Sequence, residues 1–397
     1  MKFSGRQTDG FLKKTDPRDR EKEKVPTLFA GGIDKKGRMF QSMQNQEEKR
    51  PLRVTAGFDG YVDTIARAVR EKRADGSAEY FSTIAEFGAH ISSKAGKSAL
   101  MELHTQQMRM GGCMALYTRA LLTLGVEVTA VGAMGWPETH PVFDCIVHHP
   151  ACKAYSVAQP GRCEAVEFDD GKMMFAHNED IEQLDAELLH KNLGSVTTKE
   201  LFADRDLIAL FNWSELTHAT GIWKSLADEL RAPLLVDLAD LSMRSDAEIE
   251  EMFALLSMLA RRAPLTLSLN RNELEQLCRG LRMETVHPVQ AASMLHERLH
   301  GSRVVVHLTN GAFCICRGGL YSRQNVHHDK PVLSTGGGDN FNAGLTVGLL
   351  SDLHMNDCLA LANAVSGWYV SHGESPTVAQ AASLLATGDY DHEMMEI

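Results

Sequence analysis

From residue 52 onward the chain alternates short apolar runs with longer stretches of helical spacing. Residues 52–58, 126–131, 207–213, 234–237, 265–269 and 303–308 are short and rich in Val, Leu, Ile and Ala. Such runs, apolar on consecutive positions, predict strands buried on both faces of a sheet. Between them, residues 115–124, 247–261 and 288–300 repeat apolar side chains every three or four positions and predict helices, the first ending at Gly125. Strand–helix–strand alternation predicts an α/β fold whose parallel sheet is covered on both faces.

Two stretches break the rhythm. Residues 78–110 hold only short apolar–polar segments, and 164–177 predict a hairpin around Asp169-Asp170-Gly171, because Asp-Gly suits a tight turn. Together they predict a small β-structure outside the main sheet. Residues 1–50 carry a dense mixture of charges over 13–24 and a polar stretch over 41–50, which predicts a charged, partly disordered extension to a domain on 51–397.

Composition adds limits. The 397 residues are 44% hydrophobic, enough for a substantial core. A net charge of −11 argues against nucleic acid as a partner, though backbone amides can still bind an anionic nucleotide locally. A polar start with no long apolar run points to a cytoplasmic protein without a membrane partner. The 8 cysteines are scattered without metal-type pairing, and Cys314 and Cys316 lie in an apolar run, so buried thiols are expected. His296-Glu297-Arg298-Leu299-His300 has zinc-protease spacing, but that helix runs straight into a strand and no third ligand lies nearby. Gly96-Lys97-Ser98 lacks the earlier glycine of a phosphate-binding P-loop, since Ile91 stands there.

The densest chemistry lies in Ser334-Thr335-Gly336-Gly337-Gly338-Asp339-Asn340-Phe341-Asn342-Ala343-Gly344. Three glycines let the backbone approach a ligand closely. The helical pattern that follows places them at a helix N-terminus, where free N–H groups and the helix dipole favour an anion. Asp339 is placed there to take a proton from an attacking hydroxyl, or it merely caps the first turn. Asn270 and Glu273, three apart after a strand, can hold magnesium through its waters or form an ordinary capping box. Asp59 and Asp63 follow the first strand and can accept hydroxyl hydrogen bonds or serve a turn; spacing alone does not choose between them.

Taken together, these segments resemble the ribokinase-like (PfkB) carbohydrate kinases. Gly336, Gly337, Gly338 and Asp339, then Phe341, Ala343 and Gly344, match that family's anion hole, base and helix. Asn270 and Glu273 match its magnesium motif. Gly111 and Gly112, before the helix leading to Leu124-Gly125, match its substrate-facing glycine pair. Thr309, Asn310 and Gly311 are similar to its nucleotide loop, Asn363 to its adenine-facing amide, and Asp237 to the Asp ending a central strand. The resemblance spans residues 52–385 or so. It implies a three-layer sandwich with a mostly parallel sheet and a small β lid, from about 64–110 and 155–180. It also implies ATP and Mg2+ as cofactors, a sugar or nucleoside substrate, and a homodimer formed through the lid. Leu333 stands where relatives carry an acidic residue that helps bind a monovalent cation, so that cation is left open. Leu116 stands where many carry a sugar-binding Asn, which leaves the substrate open and keeps a non-catalytic ligand-binding protein as an alternative.

Overall fold

The computed structural model describes residues 50–284, 287–325 and 335–387. Leu333 and the extension before residue 50 therefore lie outside the described residues. The strands are β1 (Arg53–Phe58), β2 (Tyr61–Lys72), β3 (Ala78–Tyr80), β4 (Leu103–Gly111), β5 (Glu127–Gly132), β6 (Cys152–Ser156), β7 (Gly161–Phe168), β8 (Gly171–His177), β9 (Leu207–Leu210), β10 (Leu234–Asp237), β11 (Leu265–Asn270), β12 (Arg303–Leu308), β13 (Gly311–Cys316) and β14 (Gly319–Gln324). The helices are α1 (Ile84–Ser92), α2 (Cys113–Thr123), α3 (Asp144–Val147), α4 (Ala186–Leu193), α5 (Thr198–Phe202), α6 (Ala219–Ser225), α7 (Asp246–Ala260), α8 (Arg271–Gly280), α9 (Pro288–Arg298), α10 (Gly337–Leu350), α11 (Met355–His372) and α12 (Val378–Thr387).

Nine strands form the main sheet in the order β14-β13-β12-β11-β10-β9-β1-β5-β6. From β12 to β6 every pairing is parallel, and only β13 runs antiparallel to its neighbours. The apolar runs explain this, because a strand with helices on both faces has no polar side to show. Side chains alternate between two cores. Ile208, Leu210, Leu234, Val236, Leu267 and Val304 point into one, with residues of α6 to α9. Val54, Ala56, Val128, Ala209, Leu235 and Val305 point into the other, with residues of α2, α10 and α11.

A second sheet has the order β3-β2-β7-β8, with β4 also on β2. The hairpin read over 164–177 is present: Phe168 pairs with Gly171 across Asp169 and Asp170. The stretch 78–110 also contains α1, which its pattern did not announce. Phe81, Phe87 and Phe168 build a separate small core under this sheet. The strand read over 207–213 ends earlier, at Leu210, because Asn212 takes a left-handed φ of 54° and turns the chain. The cysteines are all free, but not all are buried: Cys145 is exposed and Cys113, Cys152 and Cys316 are partly so. Among the described residues no helix is long and apolar enough to cross a membrane.

Helices α10 and α11 pack unusually closely. A Cβ at Gly344 would lie 2.8 Å from Ala362 Cα, and one at Gly348 would lie 2.9 Å from Cys358 Cα. Backbones this near leave α10 little freedom to slide, which fixes the turn at its N-terminus.

Candidate active site

The C-terminal ends of β1, β10 and β11 meet the N-termini of α2 and α10, the place where open parallel sheets hold their ligands. Gly336 is the N-cap of α10 with φ 92°, and Gly337, Gly338 and Asp339 form its first turn. A Cβ at Gly336 would fall 2.7 Å from the Tyr369 hydroxyl and 3.0 Å from Leu116, so the conformation and the space both call for glycine. α11 supports this turn: Tyr369 Oη donates to Thr335 O at 3.1 Å and Ser366 Oγ to Gly337 O at 2.9 Å. The first N–H groups of a helix have no intrahelical acceptor, so those of α10 are available to an anion.

Asp59 is wholly buried at the end of β1. Its carboxylate accepts from Cys113 N and Met114 N, both at 2.7 Å, and from Asn212 Nδ2 at 2.8 Å. It therefore caps α2 across a long stretch of chain. Asp63, only 5% exposed, has no hydrogen-bond partner among the described residues. It lies directly opposite Arg109 in the β2–β4 ladder, and burial raises its pKa while Arg109 and Lys172 pull it down. The glycine pair makes room for both acids. A Cβ at Gly111 would meet Asp63 Oδ1 at 2.5 Å, and one at Gly112 would meet Gly60 Cα at 2.8 Å.

Asn270 and Glu273 form a reciprocal capping box at the start of α8. Asn270 accepts from Glu273 N at 2.9 Å, and Glu273 accepts from Asn270 N at 2.8 Å and from Asn270 Nδ2 at 2.6 Å. About two of the four acceptor sites of the Glu273 carboxylate remain for water. Asp237 accepts from Ala239 N at 3.0 Å and from Asn342 Nδ2 at 2.7 Å.

These acids repel one another. Burial, then the charges of Asp237 and Asp59, pushes Asp339 well above the ordinary carboxylate range. Glu273 is raised by burial and then by Asp237, and Asp237 is raised to about 6 by burial first, with Asp59 adding to it. Behind Gly338, burial holds His307 down to about 4, so its ring is neutral at pH 7. That ring lies tilted against Phe341, 5.1 Å between centroids.

Three groups facing this space escaped the sequence reading. Lys172 of β8 donates to Thr335 Oγ1, beside the glycine turn. Arg109 of β4 faces Asp63. Asn212 holds Asp59. Nothing in their local spacing marks them, because sheet register and a loop turn bring them in. The expected nucleotide residues sit to one side. Thr309 O and Asn310 O accept from Asn325, Gly311 opens β13, and Asn363 Nδ2 donates to the carbonyls of Arg323 and Gln324 at 3.1 and 3.0 Å. The zinc-like histidines are engaged elsewhere: His296 with Ser302 O at 2.6 Å, His300 with Ser257 and Arg261.

The sequence model of the prokaryotic ketohexokinase family matches residues 39–388. The chain belongs to that family. Ketohexokinase of Haloferax volcanii is 29% identical over 349 residues, covering 86% of this chain and 92% of its own. Among solved structures, a protein assigned as ribokinase II from Escherichia coli, bound to ATP and Mg2+, superposes with a TM-score of 0.60 at 13% identity, over 84% of this chain and 99% of that one. The nucleoside kinase of Burkholderia thailandensis in complex with inosine gives 0.58 at 17%, over 84% and 98%. The fold is therefore the ribokinase fold, and the family membership makes the protein a PfkB-type phosphotransferase acting on a sugar hydroxyl.

The raised pKa of Asp237 is a stability statement. An acid whose folded pKa exceeds its unfolded value near 4 binds more protons when folded, so stability falls as pH rises through the interval from about 4 to 6. Asp237→Asn removes that loss. Asn342 Oδ1 has no partner at present, so a flipped Asn342 amide can accept from the new side chain. In metal-free buffer the variant is expected to be more stable than the parent at pH 7 by about 1–3 kcal/mol. The gap should close below pH 4. Urea unfolding at both pH values measures it, and a variant less stable at pH 7 would contradict the account.

Proposed function

We propose that the protein transfers the γ-phosphate of ATP to a hydroxyl of a ketohexose, with Asp339 as the base. The observation that carries this reading is the joint placement of Asp339 and the free amides of Gly336 to Gly338 in one helical turn, with the buried Asp59 and Asp237 close enough to raise the Asp339 pKa. The Haloferax relative supports the substrate class by name, and the Escherichia coli neighbour, with its ATP and Mg2+, supports the cofactors.

Asp63 is the acid that grips substrate hydroxyls, because its oxygens are free while those of Asp59 are taken up by α2 and Asn212. Asp339 accepts the hydroxyl proton as the new phosphorus–oxygen bond forms and the bond to the ADP oxygen breaks. Negative charge on the transferring group meets the amides of Gly336 to Gly338 and the dipole of α10. Lys172 and Arg109 add positive charge from the second sheet, which closes over the substrate as a lid and limits access of water.

Asn270 and Glu273 suit Mg2+ held through its waters, since their own hydrogen bonds leave outer acceptor sites and the mutual repulsion of Asp237, Glu273 and Asp339 favours a nearby cation. When bound, the ion supplies charge neutralisation on the phosphates. Thr309, Asn310 and Gly311 border the nucleotide, and Asn363 acts there by holding β14 rather than by offering a free amide. Met108, Met173, Met174 and Phe175 are exposed on the second sheet, which supports a homodimer through the lid. Sedimentation as a monomer at micromolar concentration would rule that assembly out.

Asp339→Asn should lower kcat at least about a hundredfold while remaining at least as stable as the parent at pH 7, since the raised acid is removed. Because Asp339 must be deprotonated to act and its pKa is raised, the acid limb of kcat/KM in the parent should lie above the usual carboxylate range. Turnover near the parental rate in the variant would remove Asp339 from the role.

Asp63→Asn and Asp59→Asn separate the two acids. With fructose and a panel of other sugars and nucleosides, Asp63→Asn should raise KM at least about tenfold and leave stability nearly unchanged, since a buried acid without partners loses little. Asp59→Asn should instead cost about 1–3 kcal/mol of stability although burial raises the Asp59 pKa, because Cys113 N and Met114 N donate to different oxygens and an amide nitrogen in place of either leaves a helix N–H facing a donor. Equal effects of the pair on KM and stability would refute the division.

A further inference from the structure

A cavity of about 470 Å³ opens at the end of the main sheet opposite the active site. Leu265 and Arg303 begin β11 and β12 there, and Cys316 to Gly318 turn β13 into β14. Asn270, at the other end of β11, is five residues away along the strand, so roughly 17 Å separates the cavity from the candidate magnesium residues.

The wall is cationic. Arg261, Arg262, Arg303, Arg317 and His300 line it, and no Asp or Glu does. In a chain where 52 acids outnumber 41 Lys and Arg, such a lining is not what bulk composition supplies. Arg262 is committed, to Ala227 O at 3.2 Å and Asp228 at 3.4 Å. Arg261 Nε donates at 3.0 Å to His300 Nε2; the terminal nitrogens of Arg261 have no partner among the described residues. Arg303 and Arg317 make no ion pair or side-chain hydrogen bond among the described residues. Arg317 lies over the turn after α9: a Cβ at Gly301, whose φ is 82°, would sit 3.2 Å from its Nε.

We infer that this cavity is a second ligand site, and that it takes a small polyanion carrying adjacent phosphates. Unpaired guanidinium groups around one concave surface match phosphate oxygens in bidentate fashion, and the volume suits a small molecule rather than a single ion. No Phe, Tyr or Trp lines the wall, so the guanidinium groups dominate its chemistry. The recognised chemistry is the phosphate chain itself, free or on a small aliphatic carrier. The extension over residues 1–49 is not the occupant by charge, since its 12 Lys and Arg exceed its 8 Asp and Glu.

Cys316 provides a reporter. Its thiol lies in the wall, and Cys314 first, with help from Arg303 and His296, holds its pKa below the ordinary thiol range, which favours the thiolate that alkylates. With the full chain, pyrophosphate and tripolyphosphate are titrated by calorimetry at low and high salt, and iodoacetamide labelling of Cys316 is followed by peptide mass. The parent should bind both probes, less tightly at high salt, and pyrophosphate should slow labelling. Arg303→Gln/Arg317→Gln should weaken probe binding at least about tenfold and abolish the protection, while kcat and the KM for ATP stay within about twofold. Arg317→Ala, at an exposed position, should give a smaller loss in the same direction and covers a folding defect in the double variant. ATP that protects Cys316 no better than pyrophosphate supports recognition of phosphates alone. Equal pyrophosphate affinity in parent and double variant, or labelling that pyrophosphate does not slow, would overturn the site.

Discussion

Asp59 ties three parts of the chain together with one carboxylate. It ends β1, accepts the first two amides of α2, and accepts the side chain of Asn212 from beyond β9. An ionised group this deep is tolerable only when its oxygens are saturated and a helix dipole favours its charge, and both conditions hold here. With its N-terminus fixed, α2 carries Tyr117 to Thr346 of α10, a 2.8 Å hydrogen bond in the interior. α10 is fixed from its other side by the close contact with α11. The two glycine turns are thus set relative to each other by one acid, one buried hydroxyl pair and one tight helix crossing.

That arrangement has an energetic consequence. Asp59, Asp237, Glu273 and Asp339 all lie at the same end of the sheet, and burial raises each. Hydrophobic side chains of similar size would fold at least as well there. What the acids provide is a group of carboxyls with raised proton affinity beside a surface of amides, the setting that the proposed base requires. The cores on both sides of the sheet supply the stability that this end gives up, which is why the glycine turns and acids sit on strands whose side chains are otherwise fully buried.

Legibility in the sequence followed the physics of each element. Strands β9, β10 and β11 announced themselves because helices cover both faces and leave no polar positions. Gly336 to Asp339 were legible because only glycine serves a left-handed N-cap pressed against Tyr369 and Leu116. The second sheet was harder to read: β2 runs 12 residues from the core into partly exposed surroundings, so its pattern changes midway. Asp59 and Asp63 could not be told apart by spacing, since the difference between them is who donates to them, and Cys113, Met114 and Asn212 are remote in sequence. Lys172 carries no sequence signal beyond its place in the hairpin. Only the pairing of β7 with β8, and of β7 with β2, brings it towards Thr335.

Leu116 shows how one departure redistributes a site. A polar amide at that position would face the substrate from α2, but Leu116 is 8% exposed and its Cδ1 lies 3.0 Å from where a Gly336 side chain would begin. It therefore packs against the anion turn and helps hold Gly336 in its left-handed conformation, offering no hydrogen bond. In the proposed site, polar recognition then has to come from elsewhere around the same space. The groups available are on the second sheet, with Asp63 and Arg109 opposite each other and Lys172 against Thr335. Two of these three are charged donors, and they belong to a sheet with its own small core, separate from the one beneath the glycine turns. If the proposed site holds, binding of a polyol is coupled to the position of that sheet more strongly than it would be with an amide on the fixed helix, because the charged groups belong to the sheet.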